Sequence, residues 1–153
     1  MIKTRIPLQI VEGRLILNAV IVCPKVRVPP TFMDFVVDTG SQDSFLSYRD
    51  VLRLQIPIKD RISAEEVDFG GSRFKRVILP PFKLHLLKED KENKEHITID
   101  MELSALKTTK TSIPKMQIAQ QLPSILGMDF LKKQKFSLHV ILTENLAYLE
   151  YEE

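Results

Sequence analysis

Residues 35–41 read Phe35-Val36-Val37-Asp38-Thr39-Gly40-Ser41. An apolar, strand-forming run leads straight into a carboxylate, a hydroxyl and a glycine. An acid at the end of a buried strand is partly desolvated, which favours its protonated form. Gly40 lets the chain turn tightly and bring a backbone N–H close to the carboxylate. Thr39 adds a hydroxyl that can brace the loop. A strand-end acid held in this way is a candidate general acid or base. Asp-Thr-Gly is short, however, and its plain alternative is a turn in which Asp38 bonds its own backbone.

The surrounding chain is read as β. Prolines at 7, 24, 29, 30, 57, 80, 81, 114 and 123 separate short segments rich in Ile, Val, Leu and Phe. Ile6 to Val11 and Arg14 to Val22 flank the turn signal Glu12-Gly13. Phe32 to Val37 reads as a strand buried on both faces. Glu65 to Leu79 reads as a hairpin turning at Gly70-Gly71. Phe82 to Leu87 and His96 to Leu103 flank Lys88 to Glu95, where seven of eight residues are charged, as expected of a solvated hairpin tip. Phe136 to Leu142 and Leu146 to Tyr151 flank Glu144-Asn145.

Two short helices are expected. Ser47-Tyr48-Arg49-Asp50 fits a capping box, with Val51, Leu52 and Leu54 as the buried stripe. Asp129 begins the second, with Phe130 and Leu131 inward and Lys132-Lys133 at its end. The fold class expected is all-β, as one domain over residues 1–153.

A second motif lies far along the chain: Pro123-Ser124-Ile125-Leu126-Gly127-Met128-Asp129-Phe130-Leu131. With Asp38-Thr39-Gly40-Ser41, the glycine pair Gly70-Gly71 and Ile125-Leu126-Gly127 in that order, the chain resembles the retroviral-type (retropepsin-like) aspartic proteases. The resemblance implies an acid-protease barrel in which the apolar-apolar-Gly strand crosses behind the catalytic loop. It implies an aspartic endopeptidase with Asp38 as the catalytic acid. Thr39, Gly40 and Ser41 then support the loop, with Ser41 placed to bond the outer oxygen of the carboxylate. Ile125, Leu126 and Gly127 support the site from behind. Phe69, Gly70 and Gly71 mark the flap over a peptide, and Asp43 lines the groove. Asp68, Arg73 and Lys75 make this flap more charged than those of many relatives.

Such chemistry needs two carboxylates sharing one proton, and the chain carries one Asp-Thr-Gly. The resemblance therefore implies a homodimer with its site on the two-fold axis. In many relatives the terminal strands supply the dimer sheet, and Leu146 to Tyr151 reads as an apolar edge in need of a partner. An intrachain pair of Asp38 with Asp129 is the lesser alternative, because Asp129 is explained as a helix start. The alternative function is a non-catalytic peptide-binding or dimerisation module on the same fold.

Composition sets the outer limits. The chain has 153 residues, 44% hydrophobic and 27% charged, with a net charge of +2. That gives no electrostatic footprint for nucleic acid or an anionic membrane. The longest early apolar run, Leu15 to Cys23, is too short to span a bilayer and lacks a signal-peptide layout. A cytoplasmic location is expected. The single cysteine, Cys23, reads as a small buried hydrophobe. His85, His96 and His139 are scattered without metal spacing, so no metal and no cofactor are expected. No serine near Asp38 has a paired His to make it a nucleophile.

Overall fold

The computed structural model describes residues 2–58, 63–69, 72–89, 95–108, 117 and 121–153. It opens with a hairpin, β1 (Lys3–Val11) and β2 (Arg14–Cys23). Glu12 and Gly13 join the strands with φ of 50° and 76°. Two consecutive positive φ angles match the twist of the flanking strands, as the Glu-Gly signal predicts.

β2 continues antiparallel to β3 (Val28–Val37) through a short 3-10 turn at Pro24–Val26. β3 differs from expectation. Met33, Phe35 and Val37 are buried, but Asp34 is exposed, Val36 is half-buried and Phe32 is 83% exposed. The strand alternates because only one of its faces meets the core. Five of the six residues from Phe32 to Val37 are apolar, so both faces read as buried, and Asp34 was the one sign of the outer face.

β4 (Phe45–Leu46) leads into α1 (Tyr48–Arg53). β5 (Ser63–Phe69) and β6 (Ser72–Ile78) form the expected hairpin, with Phe69 opposite Ser72. Its turn residues, Gly70 and Gly71, lie outside the described residues, as does most of the charged 88–95 segment. β7 (Phe82–Leu87) and β8 (His96–Met101) pair antiparallel. β9 (Ser104–Thr108) pairs with β6 and, in parallel, with β4. β10 (Ser124–Leu126), α2 (Met128–Lys133), β11 (Ser137–Ile141) and β12 (Leu146–Glu152) complete the described chain.

The main path of the sheet runs β11-β12-β1-β2-β3-β10-β4-β9-β6-β5, with β7 joined to β2 and β8 to β7. The fold is all-β, and its core gathers Leu17, Ile21, Phe35, Leu46, Phe82, Leu84 and Leu126 among others. Cys23 is fully buried in that core, its thiol 3.5 Å from the carbonyl of Pro81. No helix among the described residues is long and apolar enough to cross a membrane.

Two further expectations are corrected. Leu52 of α1 is 48% exposed, whereas Val51 and Leu54 are buried. Val51 and Leu54, three residues apart, share the inner face, whereas Leu52 lies about 100° round the helix from Val51. β12 is also not an edge: β1 pairs with it on one side and β11 on the other, and Ala147, Tyr148 and Leu149 are buried. The apolar character of that strand serves the chain's own core.

Candidate active site

Asp38 is the first residue beyond β3, and it is half-buried. Its own N–H donates to the carbonyl of Leu126 at 3.0 Å, extending the parallel β3–β10 ladder by one rung. The Gly40 N–H donates to the Asp38 Oδ1 at 2.8 Å. A Cβ on Gly40 would stand only 3.1 Å from that oxygen, so glycine lets the amide come this close. The Ser41 N–H donates to the Asp38 carbonyl at 3.2 Å. Among the described residues, Oδ2 receives no hydrogen bond. The Ser41 hydroxyl donates to the Asp43 carbonyl at 2.7 Å, so it braces the loop and does not bond the carboxylate.

The loop rests on the second motif. Ser124, Ile125 and Leu126 lie level with Phe35, Val36 and Val37 in parallel, and Ile125 also faces Phe45. Gly127 passes directly beneath the loop. A Cβ there would meet the carbonyl oxygens of Ser41 at 2.5 Å and Asp43 at 2.6 Å. That close approach lets the N–H groups of Met128 and Asp129 donate to the carbonyls of Ser41 (2.8 Å) and Gln42 (3.0 Å). The first turn of α2 thus holds the loop by its otherwise unpaired amides.

Asp129 has a structural task. Its carboxylate accepts from the Ser44 hydroxyl at 2.6 Å and the Ser44 N–H at 3.2 Å. The Gly127 N–H in turn donates to the Ser44 hydroxyl at 2.9 Å. Both oxygens of Asp129 are engaged, since Oδ1 also takes the Phe130 N–H. This acid pins α2 to the loop.

A second polar group lies deeper. Asp50 is buried, and its Oδ2 accepts from the Ser124 hydroxyl at 2.6 Å. The Ser47 N–H donates to the same Ser124 oxygen at 2.9 Å. The Asp50 N–H donates to the Ser47 hydroxyl at 3.3 Å, which is the first half of the expected capping box. The second half is changed: Asp50 reaches the Ser47 hydroxyl and Ser124 rather than the Ser47 N–H. Arg53 and Arg49 approach its carboxylate at 3.4 and 3.6 Å. Sequence reading missed this link, although a serine on β10 is an unusual insertion in an apolar strand and was the available signal.

Asp43 does not stand alone. Arg76 on β6 places Nη1 3.4 Å from Asp43 and 3.0 Å from Glu65, while its Nε donates to the Ser104 hydroxyl at 2.8 Å. Asp43, Arg76 and Ser104 border a cleft of about 320 Å³ that also reaches Ser44, Leu103 and Asp129. The β5–β6 hairpin is anchored by Phe74, which is fully buried against Phe45 and Leu106. Arg73 on its outer face pairs with Glu66 and Asp68. The Phe69 side chain, with Gly70 and Gly71, lies outside what is described.

A carboxylate at a strand end, a hairpin tied beside it and an apolar-apolar-Gly strand beneath it define the retropepsin-like fold, and this chain has it. Among solved structures it is similar to a retropepsin-like aspartic protease from Rickettsia conorii, at 17% identity and a TM-score of 0.55, over 97% of this chain and 90% of that one. It is also similar to the EIAV protease complexed with the inhibitor HBY-793, at 19% identity and a TM-score of 0.41, over 85% of this chain and 96% of that one. No protein-family model matches the sequence, and neither does any curated protein sequence.

Proposed function

We propose that the protein is an aspartic endopeptidase that works as a homodimer, each subunit contributing Asp38. The observation that carries this reading is the Asp38 carboxylate itself, held at Oδ1 by Gly40, open at Oδ2 and seated on a loop fastened from below. Rigid seating of a reacting group is what catalysis by positioned acids requires. Two such carboxylates side by side share one proton, because both cannot ionise comfortably at close range. The ionised member takes a proton from water as that water attacks the scissile carbonyl carbon. The protonated member donates to the carbonyl oxygen, giving a tetrahedral diol, and this collapses with cleavage of the C–N bond as the proton taken from water passes to the leaving amine. No covalent bond to the protein forms. The β5–β6 hairpin serves as the flap, pairing its backbone with an extended peptide. Asp43 lines the groove, and its contact with Arg76 tempers its pull on basic side chains of the substrate.

The test is cleavage of an unfolded protein at mildly acid pH by the wild type and by Asp38→Asn. The variant keeps the fold, measured by circular dichroism, and loses about 10²-fold or more of the rate. Unchanged cleavage by the variant refutes the assignment. A wild type that binds peptides and cleaves none supports the binding-module reading instead.

A further inference from the structure

The β5–β6 hairpin and the loop of residues 38–44 are distant in sequence, and Arg76 reaches from one to the other. On β6, Arg76 lies level with Glu65 of β5 and with Leu106 of β9. It shares a face of the strand with the buried Phe74, two residues before it. Its guanidinium lies 5.8 Å from the centre of the Phe45 ring.

Groups from three parts of the chain hold that guanidinium. Nε donates to the Ser104 hydroxyl of β9 at 2.8 Å. Nη1 stands 3.0 Å from the Glu65 carboxylate and 3.4 Å from that of Asp43. The Ser104 bond sets the plane of the fork, and the plane aims Nη1 between the two acids. A lysine ammonium has no such plane. With 26% of its side chain exposed, Arg76 is partly sheltered, so water and salt screen its charge less than on an open surface.

The two acids belong to different segments. Glu65 lies within the hairpin, so its pairing stiffens the hairpin alone. Asp43 lies in the loop. Its carbonyl accepts from the Ser41 hydroxyl at 2.7 Å, and the Ser41 N–H donates to the Asp38 carbonyl. Among the described residues, no other ion pair joins the hairpin to this loop. Arg73, on the outer face, pairs with Glu66 and Asp68 and holds the hairpin only to itself. Phe74 and the β6–β9 ladder fasten the hairpin to β4 and β9, so it stays folded without Arg76.

We infer that Arg76 is a positioning residue: it clasps the β5–β6 hairpin to the loop that carries Asp38, and so sets how firmly a peptide is held over the carboxylate. The role toward peptide rests on the protease reading above; the clasp itself does not.

Arg76→Gln removes the charge from the hairpin side of the contact, and Asp43→Asn from the loop side. Each variant is followed by hydrogen exchange and peptide cleavage, with the fold checked by circular dichroism. Amides of β5 and β6 exchange about three- to fivefold faster in either variant, while those of β1 and β2 keep the wild-type rate. KM rises by a similar factor and kcat holds, because a looser hairpin binds peptide less well. The double variant is no worse than the poorer single one, since both remove the same contact. Arg76→Lys, which keeps the charge without the fork, falls between the wild type and Arg76→Gln. Hairpin exchange that is unmoved, or that quickens equally throughout the chain, overturns the clasp. KM effects that add in the double variant overturn it too, because Asp43 then acts on the substrate alone. A fall in kcat at unchanged KM reports loss of folded protein and overturns the positioning role. In each of these cases, cleavage that Asp38→Asn still abolishes leaves the protease reading standing. If the wild type cleaves nothing, that reading falls with the role toward peptide, and hairpin exchange alone decides the clasp.

Discussion

Gly127→Ala isolates the contact between the second motif and the Asp38 loop. Gly127 has φ of −99° and ψ of −162°, which alanine adopts without strain. The cost is therefore one of space. The new Cβ would lie 2.5 Å from the Ser41 oxygen and 2.6 Å from the Asp43 oxygen, where ordinary contact begins at 3.4 Å. Both atoms are backbone, so no side chain can swing away, and the loop must withdraw by almost 1 Å. Overpacking of this kind costs about 1–3 kcal/mol. The withdrawal also stretches the two bonds from Met128 and Asp129, worth about 1 kcal/mol each. Replacing glycine at a permitted φ returns about 0.4–1 kcal/mol through the unfolded state. The net loss is about 2–4.5 kcal/mol, or a fall in Tm of roughly 5–15 °C for a chain of this size. Cleavage falls too, because Asp38 moves with its loop. Thermal unfolding and peptide hydrolysis are measured together. Gly13→Ala is the control: it has open space but φ of 76°, so it costs about 1–2 kcal/mol and leaves cleavage intact. A Gly127→Ala protein that melts and cleaves like the wild type refutes the close approach.

Ser124→Ala takes a hydroxyl from the buried Asp50 carboxylate and an acceptor from the Ser47 N–H, at a cost of about 1–3 kcal/mol in urea unfolding. A change below about 0.5 kcal/mol would show that Arg49, Arg53 and the Ser47 hydroxyl satisfy Asp50 without Ser124. The carboxyl terminus carries a pH-dependent tether. Lys88 donates to Glu153 at 2.6 Å, and the Tyr151 hydroxyl donates to it at 3.1 Å. Hydrogen bonding to Lys88 and then to Tyr151 holds the Glu153 carboxyl below the usual carboxylate range, and the bond to Glu153 raises Lys88. The Glu153 contribution is present above its unfolded pKa and is lost as pH falls through its lowered folded pKa. The Lys88 contribution is present below its unfolded pKa and is lost as pH rises through its raised folded pKa. The tether consequently persists at mildly acid pH. A carbon-detected titration follows Glu153, and in Lys88→Met its midpoint moves up; an unmoved midpoint removes Lys88 as the cause.

Local chemistry made much of this protein legible in sequence. Glu12-Gly13 fixed a hairpin because few residue pairs favour two positive φ angles. Ser47 marked the start of α1, because its hydroxyl can accept from an amide three residues on. Phe130 and Leu131 pointed inward as their pattern required. Asp38-Thr39-Gly40 marked a strand-end acid, and Ile125-Leu126-Gly127, singled out by the family resemblance, runs beneath it.

What remained was decided by contacts between distant segments. In Phe32 to Val37 only Asp34 hints at the outer face, because apolar residues stand on both faces and burial depends on the sheet that forms above them. The apolar run Leu146 to Tyr151 reads alike as an edge or as a central strand, and only pairing with both β1 and β11 makes it central. The partners of three acids were equally hidden: Asp43 with Arg76, Asp50 with Ser124, and Asp129 with Ser44. Each pair spans more than 30 residues of chain, so propensity and periodicity carry no trace of it. The sequence determined that a carboxylate stands at a strand end over a glycine. The tertiary structure decided how tightly it is held, and which distant groups brace the loop that carries it.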